Sequence, residues 1–566
     1  MARSQDRLLL MPTANILNLF DQTILYGTLT VDNGRIARIE HLGPERPDQP
    51  YILPGFVDAH VHIESSLLTP PQFARLAVVH GTVATISDPH EIGNVLGVSG
   101  VDYMIQEGKR VPFKFMFGAP SCVPATTFET AGATIDVAGV GDLLARADVG
   151  YLAEVMNFPG VLNQDPDLLA KISLAKAAGK PIDGHAPGLT GSDAQRYIDA
   201  GISTDHECFT YEEGLDKARR GLKILIREGS AARNFDALIP LLAEFPDQVM
   251  FCSDDKHPDT LVEGHINQLV LRALAAGHSL WNVLRAACLN PVLHYSMPVG
   301  LLREGDPADY LIVDNLNHFR VQQTVIDGHV VAQNGRSLIP GLRSAHVNRF
   351  NCSPKRIEDF VVRQSEAGSL IRVIEALDGQ LITNELHLNA RVKNGQIVSD
   401  PERDILKLVV VNRYQDTPPA VAFIKNFGLK HGAIASSVGH DSHNITAVGC
   451  DDESLCRAVN LVIEARGGLS ATGGPVADQP GTGPPVAQKI LPLPVAGLMA
   501  DGDGYDVAAQ YALLDQWAKQ DLGSTLSAPF MTLSFMALLV IPSLKLSNMG
   551  LFDTKVFDFT PLRIVT

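Results

Sequence analysis

Residues 54–62 read Pro54-Gly55-Phe56-Val57-Asp58-Ala59-His60-Val61-His62. The stretch has the texture of a buried strand that ends in two histidines. Side chains at i and i+2 share one face of a strand, so His60 and His62 point the same way. Two neutral imidazoles so placed make half of a metal site. An H-x-H pair alone binds nothing in most chains. Its weight here comes from its place at the end of the first strand of a repeating pattern.

That pattern fixes the expected fold. Strand signals fall at 56–60, 82–87, 113–117, 150–154, 181–185, 201–205, 222–226 and 248–252. Helix-like stretches lie between them at 71–80, 166–178, 231–244 and 261–276. Eight β–α units over about 230 residues predict a (β/α)8 TIM barrel, in which the strand C-termini carry the active site. An open doubly wound sheet is the rival, because strand count does not separate the two. Outside the barrel the texture is β-rich on both sides. Asp32-Asn33-Gly34 sits between alternating runs, and Asp327-Gly328 marks a second turn of the same kind. Residues 1–54 with 297–345 are expected to form one small discontinuous β-sandwich, 55–296 the barrel, and 346–566 a C-terminal α+β domain. In the last part, 406–411 and 420–424 read as strands, 453–466 as a helix and 473–485 as a Gly/Pro-rich loop.

The later strand ends repeat the signal of the first. The fourth ends in Glu154, the fifth in His185, the sixth in Asp205-His206-Glu207 and the eighth in Asp254-Asp255. Taken singly, each is a polar residue at a strand terminus. Together they supply enough ligands for two metal ions: His60, His62 and Asp254 on one, His185 and His206 on the other, and Glu154 between them. Metal-bound water is a nucleophile near neutral pH, and Asp254 beside it can pass its proton to a leaving group. The expected chemistry is metal-assisted hydrolysis at an electrophilic carbon. Around this set, Asp88-Pro89-His90-Glu91 follows the second strand. His90 is a candidate for polarising the substrate, with Asp88 and Glu91 as substrate contacts. Glu207 is a candidate proton shuttle if the sixth strand has ended before it. Asp255 and Ser121 are candidate pocket residues. In the C-terminal part, His440-Asp441-Ser442-His443-Asn444 is read either as a metal-binding group or as a loop closing over its own barrel or a neighbour's.

Composition narrows the class. The 566 residues carry 63 acidic and 46 basic side chains, a formal net charge of -17, and 45% are hydrophobic. Long disordered tails are excluded, and a nucleic-acid or anionic-membrane partner is disfavoured. The seven cysteines form no C-x-x-C pair, and the apolar run 8–11 is too short for a signal-peptide core, so a reduced cytoplasmic chain is expected. Residues 523–544 contain no charge, yet Pro529 and Pro542 interrupt them. They are read as buried core or subunit interface rather than a membrane span, in a homo-oligomer, a dimer.

Several blocks resemble the adenine deaminase family of the amidohydrolase superfamily: PGFVDAHVHIESS (54–66), SDPHEIGNV (87–95), EVMNFPGVL (154–162), DGHAPG (183–188), DHECFTYEE (205–213) and FCSDDKHPD (251–259). The resemblance continues through GDPADYLIVDNL (305–316), ASSVGHDSHNITAVG (435–449) and LPLPVAGLM (491–499) to PFMTLSFMALLVIPSLKLSNMGLFD (529–553). It implies a metal-dependent barrel with a flanking sandwich, two divalent ions with manganese foremost and iron or zinc as alternatives, and hydrolysis of adenine at C6 to hypoxanthine and ammonia in purine salvage. It also implies that Glu154 takes the place of the bridging carboxylated lysine of many relatives. Rivals on the same scaffold are a deaminase of an N6-substituted aminopurine such as N6-methyladenine, and a cyclic-amide hydrolase. The latter group typically carries lysine where Glu154 stands. His62-Ile63-Glu64 fits the start of the zinc nucleobase-deaminase signature, but the P-C-x-x-C that signature requires is absent.

Overall fold

The computed structural model describes residues 9–10, 13–230, 232–364, 370–473 and 487–564. The expected loop at 473–485 lies almost wholly outside the described residues. Eight parallel strands alternate with helices: β1 (Phe56–Val61), β2 (Thr82–Ser87), β3 (Lys114–Ala119), β4 (Val149–Val155), β5 (Ile182–Gly184), β6 (Thr204–Asp205), β7 (Lys223–Arg227) and β8 (Val249–Cys252). Strands β1 to β5 pair in chain order, and so do β6 to β8. Two junctions join these ladders into a TIM-barrel-like ring. The Ser203 amide donates to the Ile182 carbonyl at 2.9 Å, and the Asp254 amide donates to the His60 carbonyl at 2.9 Å. The second contact sets β8 beside β1, an adjacency that a doubly wound sheet lacks.

Local sequence explains the elements. Every residue of β1 and β2 is buried, as strands covered on both faces by neighbours must be, which is why they read as apolar runs. Gly184 stands at the first junction. A Cβ there would meet the Thr204 carbonyl oxygen at 2.4 Å, so only glycine lets β5 approach β6. The expected helix at 231–244 is two short turns, Phe235–Leu238 and Leu241–Glu244, split at Pro240, which lacks the N–H that would continue the ladder. That at 261–276 is Pro258–Glu263 followed by Ile266–Ala275.

Strands from both sides of the barrel meet in one nine-stranded sheet. Tyr51–Pro54 pairs antiparallel with Tyr310–Val313, which brings the two β-rich segments together. The Asn33-Gly34 turn joins Thr23–Asp32 to Arg35–Pro44, with both turn residues at positive φ. The Asp327-Gly328 turn has the same form. Beyond residue 370 an eight-stranded sheet carries the helix Asp452–Ala465, whose Asp451 side chain caps the Ser454 amide. The uncharged segment folds as Pro529–Ser534 and a following turn, and 529–539 are buried throughout. Among the described residues no helix is long and apolar enough to cross a membrane.

Asp58 locks the second junction from below. Its carboxylate accepts from the Ser253 amide at 2.9 Å, from the Ser253 hydroxyl, and from His265 Nε2 at 2.8 Å, and none of it is exposed. Asp58→Ala leaves these buried donors unmatched. It should cost about 3–5 kcal/mol, read as a lowered midpoint of thermal unfolding. A shift within error of the parent would show that the clamp is dispensable.

Candidate active site

The strand ends converge on one point. His60 Nε2 and His62 Nε2 lie 3.1 Å apart, and His62 Nε2 is 3.3 Å from Asp254 Oδ1. Glu154 stands between two groups of histidines. Its Oε1 faces His62 at 3.5 Å and His90 at 3.4 Å; its Oε2 faces His185 at 2.9 Å and His206 at 3.1 Å. All these residues are buried. Ligand atoms of His60, His62 and Asp254 lie within 4.8 Å of one another, as do those of His60, Glu154 and His206.

The turn after β8 shapes one side. Asp254 adopts a left-handed conformation, φ 54°, uncommon for a residue with a Cβ and a form of strain that clusters at functional sites. With it, both Asp254 and Asp255 line the cavity. At the sixth strand, β6 stops at Asp205, alternation stops with it, and Glu207 turns inward beside His206.

The residue the sequence reading missed is Arg227, at the end of β7. It is almost fully buried and makes a two-pronged pair with Glu207, Nη2 to Oε2 being 2.8 Å, while Nη1 donates to Asp254 Oδ2 at 2.6 Å. A buried arginine closing Lys-Ile-Leu-Ile-Arg was the available signal: it is the one charged strand end left without a part. Glu207 thus stands between this fixed cation and the histidines, its Oε1 3.6 Å from His185 and 3.5 Å from His206.

The electrostatics suit a cation at the centre. Burial, with His206 and His62 nearby, holds His60 well below the ordinary histidine range, so it stays neutral. Burial would raise Glu154, but His185 and His206 outweigh it and hold the carboxyl well below its ordinary range. Burial would likewise raise Asp254, but Arg227 and the hydrogen bond with His62 reverse it. Burial lowers His206, yet Glu154 and Asp254 prevail and push it up to about 9. Two ionised carboxylates that draw positive charge onto surrounding imidazoles form a donor set that a divalent ion satisfies. His60 Nε2 and His185 Nδ1 are the ring nitrogens turned toward these carboxylates, 3.6 Å from Asp254 Oδ1 and 2.9 Å from Glu154 Oε2.

The remaining candidates divide. His90 reaches the cavity, with Nδ1 3.2 Å from Asp88 Oδ2 and Nε2 3.4 Å from Glu91 Oε1. Asp88 lies behind it and accepts from the amides of His90 and Glu154 at 3.0 and 3.3 Å. It orients two site residues, and its carboxylate lies within 4.8 Å of ligand atoms of His62, His90 and Glu154. Ser121 also sits behind the wall, donating its hydroxyl to the Glu154 carbonyl. Glu91 lines the cavity with its oxygens against His440 Nδ1 and His443 Nε2.

The C-terminal part of the same chain closes the pocket. His440, Asp441, Leu381, Phe535, Leu538 and Val540 face the barrel residues across a narrow cavity of about 20 Å³. The His440 group therefore lies over its own barrel, where Asp441 joins His90 and Glu91 in a set of atoms within 4.8 Å of one another. Lys545 holds this wall, donating to the Leu381 carbonyl at 2.7 Å and the Phe535 carbonyl at 3.0 Å.

Two outcomes follow from these contacts. Arg227→Gln should lower metal content or turnover about 10- to 100-fold, measured as bound metal and kcat on the same preparation; parental values for both would remove Arg227 from the site. Burial pushes the Lys545 amine down to about 7. The unfolded chain binds the extra proton between there and the ordinary lysine value, so this group adds stability as pH rises above about 7. Lys545→Met should flatten that part of the curve of melting temperature against pH, and parallel curves would refute the assignment.

Residues 51–331 match the amidohydrolase family, and residues 380–558 match the adenine deaminase C-terminal domain. A protein named adenine deaminase from Sulfurovum sp. (strain NBC37-1) is 54% identical over 546 residues, covering 96% of this chain and 98% of that one. Another from Salinibacter ruber is 54% identical over 548 residues, covering 96% and 97%. A third, from Methanosarcina mazei, is 52% identical over 549 residues, covering 95% and 96%. With barrel, ligand cluster and closing domain all within the matched span, the chain belongs to the adenine deaminase family.

Proposed function

We propose that the chain hydrolyses free adenine, adenine and water giving hypoxanthine and ammonia. The observation that carries this reading is the convergence of His60, His62, Glu154, His185, His206 and Asp254 beneath a pocket walled by the C-terminal part of a chain that belongs to the adenine deaminase family. Two divalent ions are the proposed cofactor, manganese foremost, with iron and zinc suited to the same donors. His60, His62 and Asp254 would hold one, His185 and His206 the other, and Glu154 both. Bound there, such ions lower the pKa of water and polarise the carbon it attacks.

The chain's own residues do the rest. Asp254, ionised against Arg227, accepts the water proton at Oδ1 and returns it to the departing amine. Burial lowers His90, but Asp88 and Glu91 more than restore it, so its N–H is available to a ring nitrogen next to C6. Glu207 holds Arg227 in register with Asp254. The apolar wall of Leu381, Leu538 and Val540 excludes bulk water. The proposed layout is a sandwich of 1–54 with 297–345, a barrel of 55–296 and a C-terminal domain of 346–566. A cytoplasmic homodimer engaged in purine salvage is the proposed setting, and seven unpaired cysteines support a reducing compartment.

The test is ammonia release by manganese-loaded protein from adenine, N6-methyladenine, adenosine, cytosine and guanine. Adenine should be turned over fastest. His60→Ala and Asp254→Asn should abolish release, and Glu154→Gln should lower metal content together with turnover. Absence of ammonia from adenine, or a faster rate on N6-methyladenine, would overturn the substrate assignment.

A further inference from the structure

The loop 437–444 joins β9 (Ala433–Ser436) to β10 (Ile445–Gly449) and carries His440 into the mouth of the barrel. Its position is heavily determined. The His440 amide donates to the Ser534 carbonyl at 2.8 Å, Tyr414 Oη donates to the Ser442 carbonyl at 2.7 Å, and Asn444 Nδ2 donates to the Thr130 carbonyl at 2.9 Å. The imidazole lies flat on Phe535, with centroids 4.3 Å apart and planes 9° from parallel. Its Nδ1 is engaged by Glu91 Oε1 at 2.5 Å. The other ring nitrogen, Nε2, is buried, has no hydrogen-bond partner, and belongs to a side chain that lines the cavity. A buried polar atom without a partner is costly unless something arrives to satisfy it.

What arrives is constrained by the ligand cluster. On the reading that adenine is the substrate, C6 must face the histidines and carboxylates at the strand ends. The opposite edge of the base then faces the wall formed by the C-terminal part. The ring atom directly across the six-membered ring from C6 is N3, an acceptor. We propose that His440 is a substrate-positioning residue for this reaction, its Nε2–H donating to N3 of the bound base while Glu91 and Phe535 hold the ring in place. Glu91 fixes the tautomer, because a carboxylate on Nδ1 takes the proton there. Burial lowers His440, but Glu91 and Asp255, with Asp441 adding to them, bring it up to about 9, so Nε2 also carries a proton near neutral pH. His443 faces the same Glu91 carboxylate, and burial lowers it below the ordinary histidine range. Selection of the base thus lies on a wall made by a different part of the chain from the metal ligands.

The test compares adenine with 3-deazaadenine, which lacks the N3 acceptor, and 7-deazaadenine, which keeps it. Each is assayed on manganese-loaded full-length protein, His440→Ala and His440→Gln. For adenine and 7-deazaadenine, His440→Ala should lower kcat/KM about 10- to 100-fold, as for a hydrogen bond from a charged donor. For 3-deazaadenine it should change kcat/KM by less than about twofold. His440→Gln, whose amide reaches near the position of Nε2, should recover part of the loss on adenine. Metal content and melting temperature report separately on folding. Equal losses on all three bases in an enzyme whose parent deaminates adenine would overturn the inference alone. A parent that releases no ammonia from adenine would overturn the substrate reading and this inference with it.

Discussion

Arg227 places one permanent positive charge between Glu207 and Asp254, in a barrel mouth that also buries Asp88, Glu91, Glu154 and Asp255. So many carboxylates cannot remain ionised in a low-dielectric interior without compensation. The guanidinium balances part of that charge with fixed geometry, and the histidines balance more by taking protons or by coordinating cations. The rest of the site can be understood from this constraint. Glu154 divides its two oxygens between two histidine groups, and Asp254 turns one oxygen to the arginine and the other to His62. A site so rich in anions selects for positive charge at its centre, which agrees with the metal dependence of the wider amidohydrolase family.

The barrel was legible because its signals are local. Each strand announces itself within five or six residues, and each candidate side chain falls at or just past the end of such a run, so the convergence of His60, His62, Glu154, His185, His206 and Asp254 could be read from position alone. Glu207 was legible as a neighbour of His206, but its partner was not. The ion pair with Arg227 joins the ends of different strands, and no periodicity encodes which strand end faces which. Ser121 and Asp88 followed the correct strands, and their side chains serve the backbone of Glu154 and the ring of His90. Which way a loop residue points depends on the packing around it.

The closing wall was beyond local reading. Glu91 and His440 meet across 349 residues of sequence, and the polar loop at 440–444 looked equally like a metal-binding group. The uncharged segment 523–544 gave a clear signal of burial and none of location. In the structure its apolar side chains supply Phe535, Leu538 and Val540 to the pocket, and burial by a barrel explains the lack of charge as well as a lipid would. The buried Lys545 just after it ties that segment and Leu381 together through two carbonyls, so the wall is one mechanical piece.

Because the clustered histidines and carboxylates sit on barrel strands and the wall belongs to the C-terminal part, the two faces of the pocket are written in separate stretches of sequence. Substitutions at 437–444 or 535–540 can alter which ring system is accepted while the hydrolytic apparatus stays intact. Divergence within such a fold can therefore explore new substrates from the C-terminal side without passing through an inactive ancestor.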